Sequence, residues 1–176
     1  MTRAWAIRLL AVLAAIGLTV TVATADEGAN TFAAKLSGFN EVPPILTNGS
    51  GTLHVTIHNN GTLTFTETFS NLTSPVTQSH FHFAQRGVNG GVFLFICTNL
   101  GNGPAGTKAC PAGGGSVTNT VSAADIVGGA AAQNLAAGDF AGAVRVIRSG
   151  DSYVNVHTTK FPAGEIRGQV HFGDDD

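Results

Sequence analysis

The sequence predicts an all-β domain, either an antiparallel two-sheet β-sandwich or a flattened Greek-key barrel, with about eight strands and a short helical insertion. Three observations carry this. The composition is rich in turn and strand formers, with 23 glycines and 11 phenylalanines in 176 residues and only 11% charged residues. Residues 53–69 alternate apolar and polar side chains on both sides of Asn60-Gly61, a strong hairpin signal. Elsewhere, short apolar runs are bounded by glycine, proline and asparagine, and no long repeat is present.

Each element follows from local pattern. Thr31 to Ser37 reads as the first strand. Gly38 to Pro44 is a loop, because Pro43 and Pro44 cannot donate to a ladder. In the hairpin, Leu53, Val55, Ile57, Leu63, Phe65 and Phe69 form the core face. His54, His58 and a row of threonines form a solvated face. Gln78 to Phe83 is a strand with His80 and His82 on one side and Phe81 and Phe83 on the other. Gly91 to Cys97 is an apolar strand, and Ser116 to Val121 another. Ser122-Ala123-Ala124-Asp125 has the form of a capping box. Phe140, Val144 and Ile147 fall at helical spacing between Asp139 and Arg148, and Ser149-Gly150 stops that helix. Strands at 151–158 and 165–172 complete the domain.

The chain ends carry a different message. Arg3 and Arg8 precede an apolar run from Leu9 to Val22, and Ala23-Thr24-Ala25 offers small residues for cleavage. This is the layout of a secretory signal peptide over residues 1–25. The run is short for a bilayer span, so no stable membrane span is expected after cleavage. The folded domain is then 31–172, with an acidic tail at 173–176. Such a chain is secreted or periplasmic and meets an oxidising compartment. Its cysteines, Cys97 and Cys110, enclose a glycine- and proline-rich loop. They are expected to form a disulfide, since twelve intervening residues fit no Cys-x-x-Cys metal or redox pattern. The formal charge is −2 and no basic patch exists, which excludes a nucleic-acid partner. Nucleophile-elbow, phosphate-loop and His-Glu-x-x-His motifs are missing, and no organic cofactor is expected.

Leu36-Ser37-Gly38-Phe39-Asn40-Glu41-Val42-Pro43-Pro44, His80-Phe81-His82, Asn89-Gly90, Gly150 to Thr158 and Gly164 to Val170 together resemble the chordin (CHRD) domain family over about residues 31–172. The resemblance implies an exported β-sandwich and little about activity. Such domains occur in chordin, an extracellular antagonist of growth factors, and as single-domain exported proteins of microbes. A second resemblance is to copper–zinc superoxide dismutases. It rests on His80 and His82, then His157, then Gly164 and Arg167, in the same order along the chain. The zinc-binding loop has no counterpart, and only three of the copper ligands do.

Read as chemistry, His80 and His82 project from one strand face roughly 7 Å apart at Cα. A third imidazole from a neighbouring strand, His157, would complete a three-nitrogen set suited to copper, with zinc second. Asn155 or a backbone carbonyl would back the ligands. Arg167 has two readings, an anion guide beside a metal or a strand lock paired with Glu165 or Glu41. His171 shares a face with Arg167 and could supply a fourth ligand. Gly90, Gly164 and Gly168 read as turn or close-approach positions. The alternative is that the histidines are structural, hydrogen-bonded between strands or to a loop. Three functions stay open. The first is a non-enzymatic binding module holding one metal ion, copper before zinc. The second is a mononuclear copper oxidoreductase acting on superoxide. The third is a structural or adhesive module. The expected partners are a metal ion or an extracellular protein.

Overall fold

The computed structural model describes residues 30–173. The segment read as a signal peptide and the last three residues of the acidic tail lie outside them. Among these described residues nine strands, all paired antiparallel, form one sheet rolled into a nearly closed barrel. They are β1 (Thr31–Ser37), β2 (Ser50–Ile57), β3 (Leu63–Ser70), β4 (Val76–Phe83), β5 (Gly91–Thr98), β6 (Gly115–Val121), β7 (Ser152–Thr158), β8 (Ile166–Gln169) and β9 (His171–Phe172). A single α-helix, α1 (Phe140–Arg148), stands between β6 and β7. The strand order is β5-β4-β7-β8-β1-β2-β3-β6, with β9 beside β1. Of the two expected architectures, the barrel is the one formed. Among the described residues no helix is long and apolar enough to cross a membrane.

The β2–β3 hairpin forms as its alternation demands. Leu53 pairs with Glu67, Val55 with Phe65 and Ile57 with Leu63, and these side chains point inward. On the outer face the threonines bond to one another: Thr52 to Thr68 at 2.7 Å, Thr64 to Thr120 and Thr66 to Thr118 at 2.9 Å. His54 and His58 lie on this exposed face.

A barrel that fails to close leaves a strand edge, which has to be covered. Here the segment after β6 lies along β5. Leu94 bridges Ile126, Val127 N donates to Phe93 O at 2.9 Å, and the Gln133 side chain accepts from Gly91 N and donates to Phe83 O. The capping box at Ser122–Asp125 opens this segment. Asp139 caps α1, whose Ala143, Val144, Val146 and Ile147 join the core. At the other end of β5, the Cys97–Cys110 disulfide and a Cys97–Lys108 bridge hold the glycine-rich loop.

The expected strand 165–172 is interrupted. β8 ends at Gln169, Val170 turns inward and donates to Ser152 O at 2.8 Å, and β9 continues on β1 alone. The residue at this break belongs to the core, so the strand leaves β7 there.

One inward position is chemically unusual. Glu67 lies in the row Leu63, Phe65, Glu67, Phe69 and is fully buried. Ser79 is beside it, but the Ser79 hydroxyl donates to Asn155 O at 2.9 Å, and neither Glu67 oxygen has a hydrogen-bond partner. Burial pushes the carboxyl up to about 8 from an ordinary 4.5, so it is neutral at pH 7.

Two predictions follow from the core. The native state keeps a proton on Glu67 that the unfolded chain loses above pH 4.5. Its contribution is complete below that pH and is lost as pH rises towards 8. Denaturant unfolding of Glu67→Gln between pH 5 and 8 will therefore show a flatter profile, gaining on the parent by a few kcal/mol at the alkaline end. Replacing both Cys97 and Cys110 by alanine will lower unfolding stability by about 3 kcal/mol in the same assay, because the unfolded chain regains the freedom of the clipped loop.

Candidate metal centre

The site is built on adjacent strands whose outer faces are covered. On β4, Ser79 and Phe81 point into the barrel, so His80 and His82 point out. On β7, Val154 and Val156 point in, and Tyr153, Asn155 and His157 point out. The register sets His80 opposite Asn155, His82 opposite Tyr153 and Gln78 opposite His157. His157 is thus the diagonal neighbour of His80. Two irregularities in β5 flank this segment: Ile96 and Phe93 are extra residues opposite β4. Bulges of this kind re-aim side chains beside a site. They leave His80 edge-on against Phe95, with ring centroids 4.5 Å apart.

The three imidazoles converge. One nitrogen from each of His80, His82 and His157 lies within 4.8 Å of the other two. The three residues are 3%, 8% and 7% exposed. Hydrogen bonds fix two tautomers. His82 Nδ1 donates to Gly90 O at 2.9 Å, and His157 Nδ1 donates to Pro162 O at 3.0 Å. Both Nε2 atoms therefore carry lone pairs. His82 Nε2 is buried without a partner. His157 Nε2 faces His80 Nδ1 at 3.2 Å and Asn155 Oδ1 at 3.0 Å. The latter contact sets acceptor against acceptor unless a proton or cation stands between them.

Three loops roof these side chains. The loop of residues 84–90 supplies Gly90 O to His82. It also supplies Val88 O at 2.7 Å and Asn89 Oδ1 at 3.1 Å to Arg167. The loop of residues 159–165 supplies Pro162 O to His157. The loop of residues 38–49 brings in buried Glu41 and meets the first loop where Asn89 Nδ2 approaches Val42 O at 3.4 Å. Beneath this roof three side chains stack. The His82 and Tyr153 rings are parallel within 6° at 4.5 Å, and the Arg167 guanidinium lies 3.3 Å from the centroid of the Tyr153 ring. The stacking joins a cation to a π-face and fixes the Tyr153 ring against the histidine.

The electrostatics follow from burial. It pushes the His80 imidazole down to about 2 and His82 to about 4, with the neighbouring imidazoles acting in the same direction on both. His157 is lowered by burial as well. All three rings are neutral at physiological pH, the form that ligates metals. Burial raises Glu41 to about 7 against the lowering effects of Arg167 and Asn155, and its Oε1 has no hydrogen-bond partner. The set can therefore offer lone pairs to a cation without first losing protons.

The structure brings His80, His82 and His157 together, with Asn155 against His157. It leaves His54, His58 and His171 exposed and outside the cluster. His171 pairs with Ala33 beyond the break at Val170, so it does not supply a fourth ligand. Of the two acids expected for Arg167, Glu165 is not its partner, whereas Glu41 acts on it electrostatically. Glu165 instead accepts from Thr47, Thr158, and the Thr73 hydroxyl and amide. Sequence reasoning missed three parts of the site. These are the stacking role of Tyr153, the identity of the expected backing carbonyls as Gly90 O and Pro162 O, and the Glu165 anchor. The signal for Tyr153 was its place on the His157 face.

Two glycines are required by the packing. A Cβ at Gly90 would lie 1.8 Å from Phe83 O. Gly164 has φ +130°, and a Cβ there would meet Glu41 Oε1 and Asn155 Nδ2. Gly164→Ala will lower thermal unfolding stability by about 2 kcal/mol, from backbone strain and displacement of Glu41. The mutant will also show altered histidine ring resonances in NMR spectra, because Gly164 faces Asn155 and its loop carries the Pro162 carbonyl that tethers His157.

Comparison with known proteins adds one finding. A model of the CHRD domain matches residues 32–170, from the start of β1 through β8, and takes in all three histidines. No curated protein and no solved structure matches the chain. With the match spanning well over half of the sequence, the chain belongs to the CHRD-domain family.

Proposed function

We propose that this protein is an exported, non-enzymatic binding module that holds one metal ion, copper before zinc, at His80, His82 and His157. The observation that carries the reading is the convergence of three buried, neutral imidazoles with their nitrogens within 4.8 Å. His82 Nε2 adds to it as a buried lone pair with no partner, and His157 Nε2 as one turned towards another acceptor. An unpaired polar atom of this kind costs free energy that a bound cation would return. A purely structural role explains the tethers to Gly90 O and Pro162 O, and the His80 Nδ1 contact of His157 Nε2, but not the unpaired His82 Nε2. The residues fit the ion chemically: imidazole nitrogen suits copper and zinc, and His82 and His157 are each oriented through the other ring nitrogen.

Binding is favoured over turnover of superoxide by the state of Arg167. Its terminal nitrogens are directed at Asn89 Oδ1, Val88 O and, at 3.5 Å, Gln85 O, and the side chain is 2% exposed. A guide for anions needs a reachable charge. Export is supported by the targeting layout of residues 1–25 and by the Cys97–Cys110 disulfide.

Metal analysis of the folded mature chain after titration with copper and with zinc tests the reading. The parent protein will take up one equivalent of copper, and His80→Ala/His82→Ala will take up none. Equal uptake by the two proteins would remove the proposed site.

A further inference from the structure

Resting on the metal-binding reading above, we infer that the site selects cuprous copper, a monovalent ion, over cupric copper and zinc. The argument is one of charge. The ligand set is three neutral imidazoles, with no carboxylate or thiolate among them. A metal ion held there keeps its full formal charge. It does so among side chains that are at most 8% exposed. The desolvation penalty of an ion rises with the square of its charge, so a dication loses about four times as much hydration as a monocation of similar size.

The surroundings act in the same direction. Arg167 is the fixed cation of this face. It lies against Tyr153, and Tyr153 lies against His82. Its charge reaches the ligands across that stack, 3.3 Å from the centroid of the Tyr153 ring, which in turn lies 4.5 Å from the His82 ring. That field opposes a dication twice as strongly as a monocation. Neither acid of the roof belongs to the ligand set. Glu165 is occupied by hydroxyl and amide donors from Thr47, Thr73 and Thr158. Glu41 lies outside the ligand group, beside Gly164 and the Asn155 amide.

Coordination number adds a second, independent reason. Zinc in proteins is almost always four-coordinate, with water or an anion added when the protein gives three ligands. Cupric copper prefers a tetragonal set. Cuprous copper, with a filled d shell, has no geometric demand beyond two or three donors. Three imidazoles closed over by loops 38–49, 84–90 and 159–165 meet that requirement without a further ligand.

The test is an anaerobic competition on the folded mature chain. Bicinchoninate serves as the probe for cuprous ion, and chromophoric chelators serve for zinc and cupric ion. The expected result is a cuprous dissociation constant at least about a thousandfold below that for zinc, together with a copper reduction potential above that of aqueous copper. Arg167→Met keeps the stem against Tyr153 and removes the charge. It should tighten zinc binding about tenfold and cuprous binding less, narrowing the preference. Should that variant fail to fold, the parent affinities and the potential decide alone. Zinc or cupric affinity within tenfold of the cuprous value, lost in His80→Ala/His82→Ala, would overturn the selection by charge and leave the metal site standing. Failure of all three ions to bind would overturn both.

Discussion

β7 has no solvent face. All seven residues from Ser152 to Thr158 are buried, although alternate side chains point out of the barrel. A strand in a barrel wall normally buries only the inward row. Covering the outward row of β7 obliges loops 38–49, 84–90 and 159–165 to fold across it. Those loops carry backbone polar groups, which must be satisfied once water is excluded. Arg167 and Glu165 do much of this. Arg167 gathers oxygens of loop 84–90, while Glu165 gathers donors from three separated threonines. The histidines are buried because the strand beneath them is.

The same covering divides the polar groups into two sets. Those that hold the roof are paired, with bonds between 2.7 and 3.1 Å for the Glu165 and principal Arg167 contacts. Those facing inward from it are incompletely paired: His82 Nε2 and Glu41 Oε1 have no partner. Buried polar atoms in folded proteins are seldom left this way. The presence of these two atoms under the roof separates this face from the outer face of β2, β3 and β6. On that face the threonine hydroxyls bond mutually in the open. Glu67 is a third case, a single carboxyl inside the apolar barrel that remains neutral by holding its proton.

Much of this arrangement is legible in the residues. Period-two alternation around Asn60-Gly61 specifies the hairpin and the direction of each side chain. The same alternation puts His80 and His82 on one face, and Tyr153, Asn155 and His157 on another. The spacing of Phe140, Val144 and Ile147 yields α1 with its Asp139 cap. What alternation cannot give is strand neighbourhood. That β4 lies beside β7, bringing His80 within reach of His157, is decided by barrel closure across a long stretch of sequence. The bulges at Phe93 and Ile96 are equally silent, because an extra residue in an apolar strand leaves no mark in composition. Glu165 finds Thr47 and Thr73 through folds of the loops, not through spacing. Glu67 was readable: it occupies the apolar row of β3, and a charge in such a row is itself a signal.

The tethers of the histidines differ in kind from the strands that carry them. The rings stand on β4 and β7, in the hydrogen-bonded wall, whereas the carbonyls that orient them, Gly90 O and Pro162 O, belong to the covering loops. Covering segments of this type open locally at lower free energy than the sheet beneath them. Raising loop 84–90 would therefore release His82 from Gly90 and Arg167 from Val88 in one movement while the barrel stays intact. On the metal-binding proposal, the residence time of the ion would follow the frequency of that opening rather than global unfolding.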